Sequence, residues 1–142
     1  MFTSEIYPEW MKEKQIQKYE DMKKFLPDIC GLVLDVGCGP VWLKDFLIKN
    51  YSEIKYIGID IRYKPHVLCS GDFLAFKTNS FDFVFCVDTL HLLKNRGEMK
   101  RVLKRGGYLI ISEVKSLWND NFLNNFKDLK IVKKSIIGKE EK

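Results

Sequence analysis

A chain of 142 residues, 46% hydrophobic and 30% charged, can bury one core but not a core plus a separate substrate domain, so one domain over 1–142 is expected, with 1–27 as a helical lead-in and 28–142 as the core. No apolar run approaches the roughly 18 residues of a membrane span, and Met1 to Trp10 carries Glu5 and Glu9 where a signal peptide would be apolar, so no membrane contact and a cytoplasmic location are expected. The net charge of +5, from 24 basic and 19 acidic residues, supports an anionic partner only weakly, because scattered lysines usually form a solvated surface.

In chain order, about Pro8 to Phe25 sets Trp10, Met11, Ile16, Tyr19 and Met22 among charges at helical spacing, which predicts an amphipathic helix ended by Pro27. A strand at Leu32 to Val36, a helix at about Val41 to Lys49 and a strand at Ile54 to Ile59 follow. The third strand is short, around Val67 to Cys69. The fourth, Phe83 to Val87, is a continuous apolar run of the kind buried on both faces of a parallel sheet. A helix near Gly97 to Leu103 leads through Gly106 and Gly107 to a fifth strand at Tyr108 to Val114. Leu117 to Phe126 reads as a helix and Leu129 to Ile137 as a strand, with a turn at Gly138 and Lys139. Alternating strands and helices imply an α/β fold, a Rossmann-like, doubly wound, mostly parallel sheet in a three-layer α/β/α arrangement.

The most informative run is Leu34-Asp35-Val36-Gly37-Cys38-Gly39-Pro40, followed by Tyr56-Ile57-Gly58-Ile59-Asp60. Glycines at 37 and 39 let the backbone turn sharply and approach a ligand closely. A carboxylate about twenty residues on, at the tip of the neighbouring strand, is placed to accept both hydroxyls of a ribose. A dinucleotide fingerprint would need a small residue at the sixth position from Gly37, which is Trp42, and Pro40 removes an N–H that could have bound an anion. A nucleoside without phosphates fits better, and a nicotinamide-dependent oxidoreductase is a remote alternative.

From about Leu32 to Ile111 the chain resembles the class I S-adenosylmethionine-dependent methyltransferases, in a small, type-11-like form. Besides the two runs above, Gly71-Asp72-Phe73 is similar to the element that holds adenine, and Asn79 to Val84 to the start of the fourth strand. Val87-Asp88-Thr89-Leu90-His91 is similar to the end of that strand, beside the methyl donor, and Leu103 to Ile110 to the turn into the fifth. The resemblance implies S-adenosyl-L-methionine as cofactor and a methyl acceptor that the motifs leave unidentified: small molecule, RNA or protein. It implies cofactor contacts from Asp35, Gly37, Cys38, Gly39, Pro40, Asp60, Ile61, Gly71, Asp72, Phe73 and Asp88, with Asp88 and His91 as the candidate catalytic pair.

Each assignment has a plainer counterpart. Asp60 is a ribose acceptor or an exposed carboxylate capping the next turn. Asp72 takes the adenine amino group, with the Phe73 N–H facing a ring nitrogen, or is a turn acid. Asp35 holds the methionine amine through water or braces the loop from within. His91 is a general base, since imidazole titrates near neutrality, or packs against the cofactor. Trp10, Trp42 and Tyr7 cover the cofactor or belong to the core. The four cysteines, Cys30, Cys38, Cys69 and Cys86, form no C-x-x-C pair and read as buried free thiols; with only His66 and His91 beside them no zinc set, and no metal, is expected.

The family pattern is departed from in three places. Val41 stands where a third glycine is usual, the link between Asp60 and Gly71 is too short for a full helix and contains Pro65, and only Glu140, Glu141 and Lys142 follow the expected last turn. The last antiparallel strand is therefore expected to be short or missing, leaving an open sheet edge through which the chain could form a homodimer. These departures also keep a second reading open: a non-catalytic S-adenosylmethionine-binding or nucleic-acid- or partner-binding module with a methyltransferase-like fold. For the acceptor, no [DNS]-P-P-[YFW] motif and no Pro-Cys pair occurs, which argues against the amino-directed and cytosine-C5 DNA enzymes, and the tetrad of compact RNA 2′-O-methyltransferases has no assignable counterpart. Tyr7, Trp10, His91, Lys94, Lys115 and Trp118 are expected to form an aromatic and basic acceptor face. Lys127, Lys130, Lys133, Lys134, Lys139 and Lys142 leave nucleic acid as a weakly supported partner.

Overall fold

The computed structural model describes residues 9–61, 67–68, 70–87, 93–112, 126–132 and 135–140. Its elements are α1 (Glu9–Lys23), β1 (Gly31–Val36), α2 (Trp42–Asn50), β2 (Ile54–Asp60), β3 (Val67–Leu68), β4 (Phe81–Val87), α3 (Gly97–Val102), β5 (Leu103–Ser112), β6 (Phe126–Val132) and β7 (Ser135–Glu140). One seven-stranded sheet runs in the order β3-β2-β1-β4-β5-β7-β6. The pairs among β1 to β5 are parallel, and β7 lies antiparallel to both β5 and β6.

The alternation of side chains along parallel strands sorts the core into two layers. Leu34 and Val36 of β1, Val84 and Cys86 of β4, and Leu109 and Ile111 of β5 pack with Met99 and Val102 of α3. Val33, Phe83, Phe85 and Ile110 face the other way, onto Tyr19 and Met22 of α1 and Leu43, Phe46 and Leu47 of α2. The sheet is thus covered on both faces, as continuous apolar strands require. On β1 this alternation puts Asp35 on the same face as Val33, under α1 and α2, and Tyr56 belongs to the same layer.

Two expectations about the end of the chain are corrected. The last antiparallel strand is neither missing nor reduced to a stub. The chain reverses between Val132 and Ser135 rather than at Gly138, so Ser135 to Lys139 are free to pair with Ser112 to Tyr108. Ile136 and Ile137 belong to the returning strand, and a run of alternating residues carries no mark of where it folds back on itself. The slot beside β5 is therefore filled, which removes the premise for a dimer formed there. Leu117 to Phe126, expected to be a helix, lies almost wholly outside the described residues.

The fifth strand starts earlier than expected. Leu103 already pairs with Phe81, whereas Tyr108 pairs with Phe83, so residues 104–107 bulge out of register and Gly106 takes φ 80° within the bulge. Cys38 and Cys86 are buried thiols, but Cys30 is exposed, at the end of the loop before β1 rather than inside a strand. Cys69 lies outside the described residues.

Candidate active site

The strand order changes direction between β1 and β4, and ligands of open α/β sheets bind in the crevice beyond the carboxyl ends of the strands at such a switch point. The loop after β1 rises there. Gly37 and Gly39 hold φ 73° and 51°, in the left-handed region that glycine adopts without a Cβ penalty. A Cβ built on Gly39 would meet nothing within 4 Å, so the loop crest borders open space. Val41 continues the pattern at φ 59°, a conformation in which a β-branched residue is strained. The valine that stands at the family's third glycine position thus shares the left-handed backbone of Gly37 and Gly39.

Every backbone N–H of this loop is spoken for. Gly37 and Cys38 both donate to Ile59 O, at 2.9 and 3.0 Å, and Val41 donates to Cys38 O at 3.1 Å. Gly39 donates to Asp60 Oδ2 at 3.0 Å. Pro40 has none to give. The crest is consequently no phosphate cradle, which needs N–H groups directed at the anion. Asp60, at the carboxyl end of β2, is tied to the loop it was expected to serve, and Ile61 beyond it is largely exposed.

Beneath the loop lies a buried polar group. Asp35 is only 3% exposed and accepts the Tyr56 hydroxyl at 2.5 Å. Val33 registers against Tyr56 and Asp35 against Gly58, so the tyrosine reaches two residues along the sheet to the carboxyl group. Gly58 makes this possible: a Cβ there would come within 2.9 Å of both the Tyr56 hydroxyl oxygen and Cys38 Sγ. Burial pushes the Asp35 carboxyl up to about 7; the Tyr56 hydrogen bond draws it back in part and the charge of Asp60 adds to the rise. Burial, followed by the charges of Asp35 and Asp60, raises the Cys38 thiol well above its ordinary value, so it stays protonated and is no nucleophile.

A cavity of about 240 Å³ opens over these groups. Asp35, Gly37 to Pro40, Trp42 and Val87 form its floor and one wall. Met11, Gln15 and Tyr19 of α1 form the other. Sequence reasoning assigned Met11 and Tyr19 only to an amphipathic helix and passed over Gln15. Their spacing of four residues, which stacks side chains on one helix face, was the available signal. Trp42 lines the cavity as one reading of it required, whereas Trp10 is neither cover nor core: it is 58% exposed, with Lys14 Nζ 5.3 Å from its ring centroid.

The segment around Gly71 is held from below. A Cβ on Gly71 would lie 2.7 Å from Leu93 Cδ2 and 2.8 Å from Val36 Cγ1, so this glycine serves close packing. Asp72 Oδ1 accepts the backbone N–H groups of Lys94 and Asn95 at 2.7 and 2.6 Å, which ties the loop after β3 to the loop after β4. Arg101 extends the brace, donating to Leu74 O and Phe76 O and pairing with Glu98 at 2.6 Å. The Phe73 N–H closes a turn onto Ser70 O at 3.2 Å instead of standing free for a ring nitrogen, and its side chain is 77% exposed. Asp88 and His91, and with them Tyr7, Lys115 and Trp118 of the expected acceptor face, lie outside the described residues. Lys94 is exposed.

Comparison with known proteins agrees with this geometry. A family model described as a methyltransferase domain matches residues 34–111, from the middle of β1 almost to the end of β5. Two uncharacterised proteins of Methanocaldococcus jannaschii are similar, one 34% identical over 124 residues (79% of this chain, 52% of the relative) and one 32% identical over 137 residues (89% and 65%). The chain thus spans between half and two thirds of the length of these curated relatives. Among solved structures, an S-adenosylmethionine-dependent methyltransferase from Aquifex aeolicus shares the fold at a TM-score of 0.65 and 19% identity, over 89% of this chain and 96% of that one. With its family-model match covering more than half its length and the strand order of its sheet, the chain belongs to the class I S-adenosylmethionine-dependent methyltransferases.

Proposed function

We propose that this chain binds S-adenosyl-L-methionine across the β1/β4 switch point and transfers its methyl group to an acceptor that approaches over the carboxyl ends of the strands. The observation that carries the reading is the tie between Asp60 and the glycine loop: the carboxylate at the end of β2 accepts the Gly39 N–H at 3.0 Å, beside the open space over the loop crest. In this reading Asp60 takes the ribose hydroxyls, Ile61, Gly71, Asp72 and Phe73 border the adenine, and Asp35 with Gly37, Cys38, Gly39 and Pro40 surrounds the amino-acid end. Asp88 and His91, which follow β4 in the sequence and lie outside the described residues, are the proposed catalytic pair. The donor supplies an activated methyl group on a sulfonium, so the chain's own task is to hold donor and acceptor in line at roughly 3 to 3.5 Å. A base is required only if the acceptor must lose a proton, and His91 is the candidate for it.

Two features that favoured an inert module lose their force. The final strand is present, and Val41 takes a left-handed backbone, φ 59°, as Gly37 and Gly39 do. No helix among the described residues is long and apolar enough to cross a membrane, and the cytoplasm remains the proposed site of action. Calorimetry with the donor and turnover of labelled donor against fractionated small molecules, RNA and protein test the proposal together. Asp60→Ala should weaken donor binding by about 1.5–3 kcal/mol, the range for hydrogen bonds to a charged group. Absence of binding of both the donor and its demethylated product by the intact protein would refute it.

A further inference from the structure

We infer that Gln15 of α1 is the side chain that recognises the carboxylate at the amino-acid end of the bound donor, an assignment that rests on the reading of the site as an S-adenosylmethionine site. The cavity beneath α1 contains Asp35 and the glycine loop but is not lined by Asp60, Asp72 or Phe73, so it is the compartment that receives the non-nucleoside end of a ligand anchored at Asp60. That end carries an ammonium and a carboxylate, and charges taken out of water need partners. Asp35 offers an acid to the ammonium. Among the described residues that line the cavity there is no lysine, arginine or histidine to meet the carboxylate, so a neutral donor has to do so.

The loop cannot supply the missing donor either. The N–H groups of Gly37, Cys38, Gly39 and Val41 are all engaged within the protein, and Pro40 lacks one. The α1 wall presents an amide and a hydroxyl side by side: Gln15 Nε2 donates to the Tyr19 hydroxyl at 3.0 Å, and an amide nitrogen carries a second hydrogen. Tyr19 is itself anchored, its ring 5.4 Å from that of Phe46 of α2, and it fixes the amide at the cavity wall. A neutral donor of this kind holds a carboxylate without adding a cation that would oppose the sulfonium. It also makes α1, which precedes the glycine loop in the chain, part of the cofactor site.

The test compares two donors that differ only in this group, S-adenosylmethionine and its decarboxylated form, by calorimetry on the full chain. Gln15→Leu should weaken S-adenosylmethionine about tenfold and leave the decarboxylated donor within about twofold. Gln15→Glu, which sets one carboxylate against another, should weaken S-adenosylmethionine further and leave the decarboxylated donor bound at least as well. Equal losses for both donors would assign Gln15 to packing and overturn the inference, as would unchanged affinity for S-adenosylmethionine. If the unaltered protein bound neither donor, the methyltransferase reading itself would fall. Far-UV circular dichroism of each variant separates unfolding from selective loss.

Discussion

Replacing Asp35 by asparagine removes an ionisable group from the interior and keeps an oxygen to accept the Tyr56 hydroxyl. Asp35 is raised from 3.8 to about 7, principally by burial. An acid whose value is raised on folding binds more protons folded than unfolded between those two values, so stability falls as pH rises through that window. The contribution is complete below about pH 4 and exhausted above about pH 7. At about 1.4 kcal/mol per pH unit the window amounts to on the order of 4 kcal/mol, an upper figure because water entry and relaxation around an ionised carboxylate recover part of it. Asp35→Asn should therefore match the parent within about 1 kcal/mol near pH 4 and exceed it by up to about 4 kcal/mol near pH 8. Urea denaturation of both proteins across that range reads the difference, since titrating groups that do not interact with Asp35 cancel. A parent whose stability runs parallel to the variant's throughout would show that Asp35 is not held in an unfavourable medium. The variant should also bind the donor more weakly, because a group strained in the free protein and useful to a ligand trades stability for function.

Gly58→Ala forces a Cβ to within 2.9 Å of Cys38 Sγ and the Tyr56 hydroxyl oxygen, and should cost about 1–3 kcal/mol and loosen the Tyr56–Asp35 contact; a thermal midpoint equal to the parent's would contradict the close packing. At Val41, left-handed at φ 59°, the usual order of tolerance should reverse, with Val41→Gly more stable than Val41→Ala by up to about 1 kcal/mol, since glycine escapes the roughly 1–2 kcal/mol penalty and gives back only part of it as chain entropy. An alanine variant as stable as the glycine one would remove the strain argument. Asp72→Ala deprives the Lys94 and Asn95 N–H groups of their acceptor and should lower stability by about 1–2 kcal/mol, measured as a reduced urea midpoint. A shift in donor affinity with no shift in that midpoint would instead give Asp72 a ligand role alone.

The sequence by itself determined the parallel half of the fold and the identity of the loop. Continuous apolar strands, two glycines and a carboxylate about twenty residues later are local signals, each fixed by backbone sterics or by burial on both faces, so they survive without knowledge of what packs where. Tertiary structure decided the rest. Whether Ile136 and Ile137 end one strand or open the next depends on pairing with β5, a contact between residues far apart in the chain. That Gly58 makes room for the Tyr56 hydroxyl above Asp35 depends on the register of β1 against β2, and no spacing in the sequence announces it. Gln15 entered the site because α1 crosses the switch point with its Met11, Gln15 and Tyr19 face toward the loop, whereas helical periodicity shows only that such a face exists. Asp72 and Phe73 stood out as ligand residues from their neighbours in the chain, while the hydrogen bonds that engage Oδ1 of one and the N–H of the other come from segments brought together only by folding.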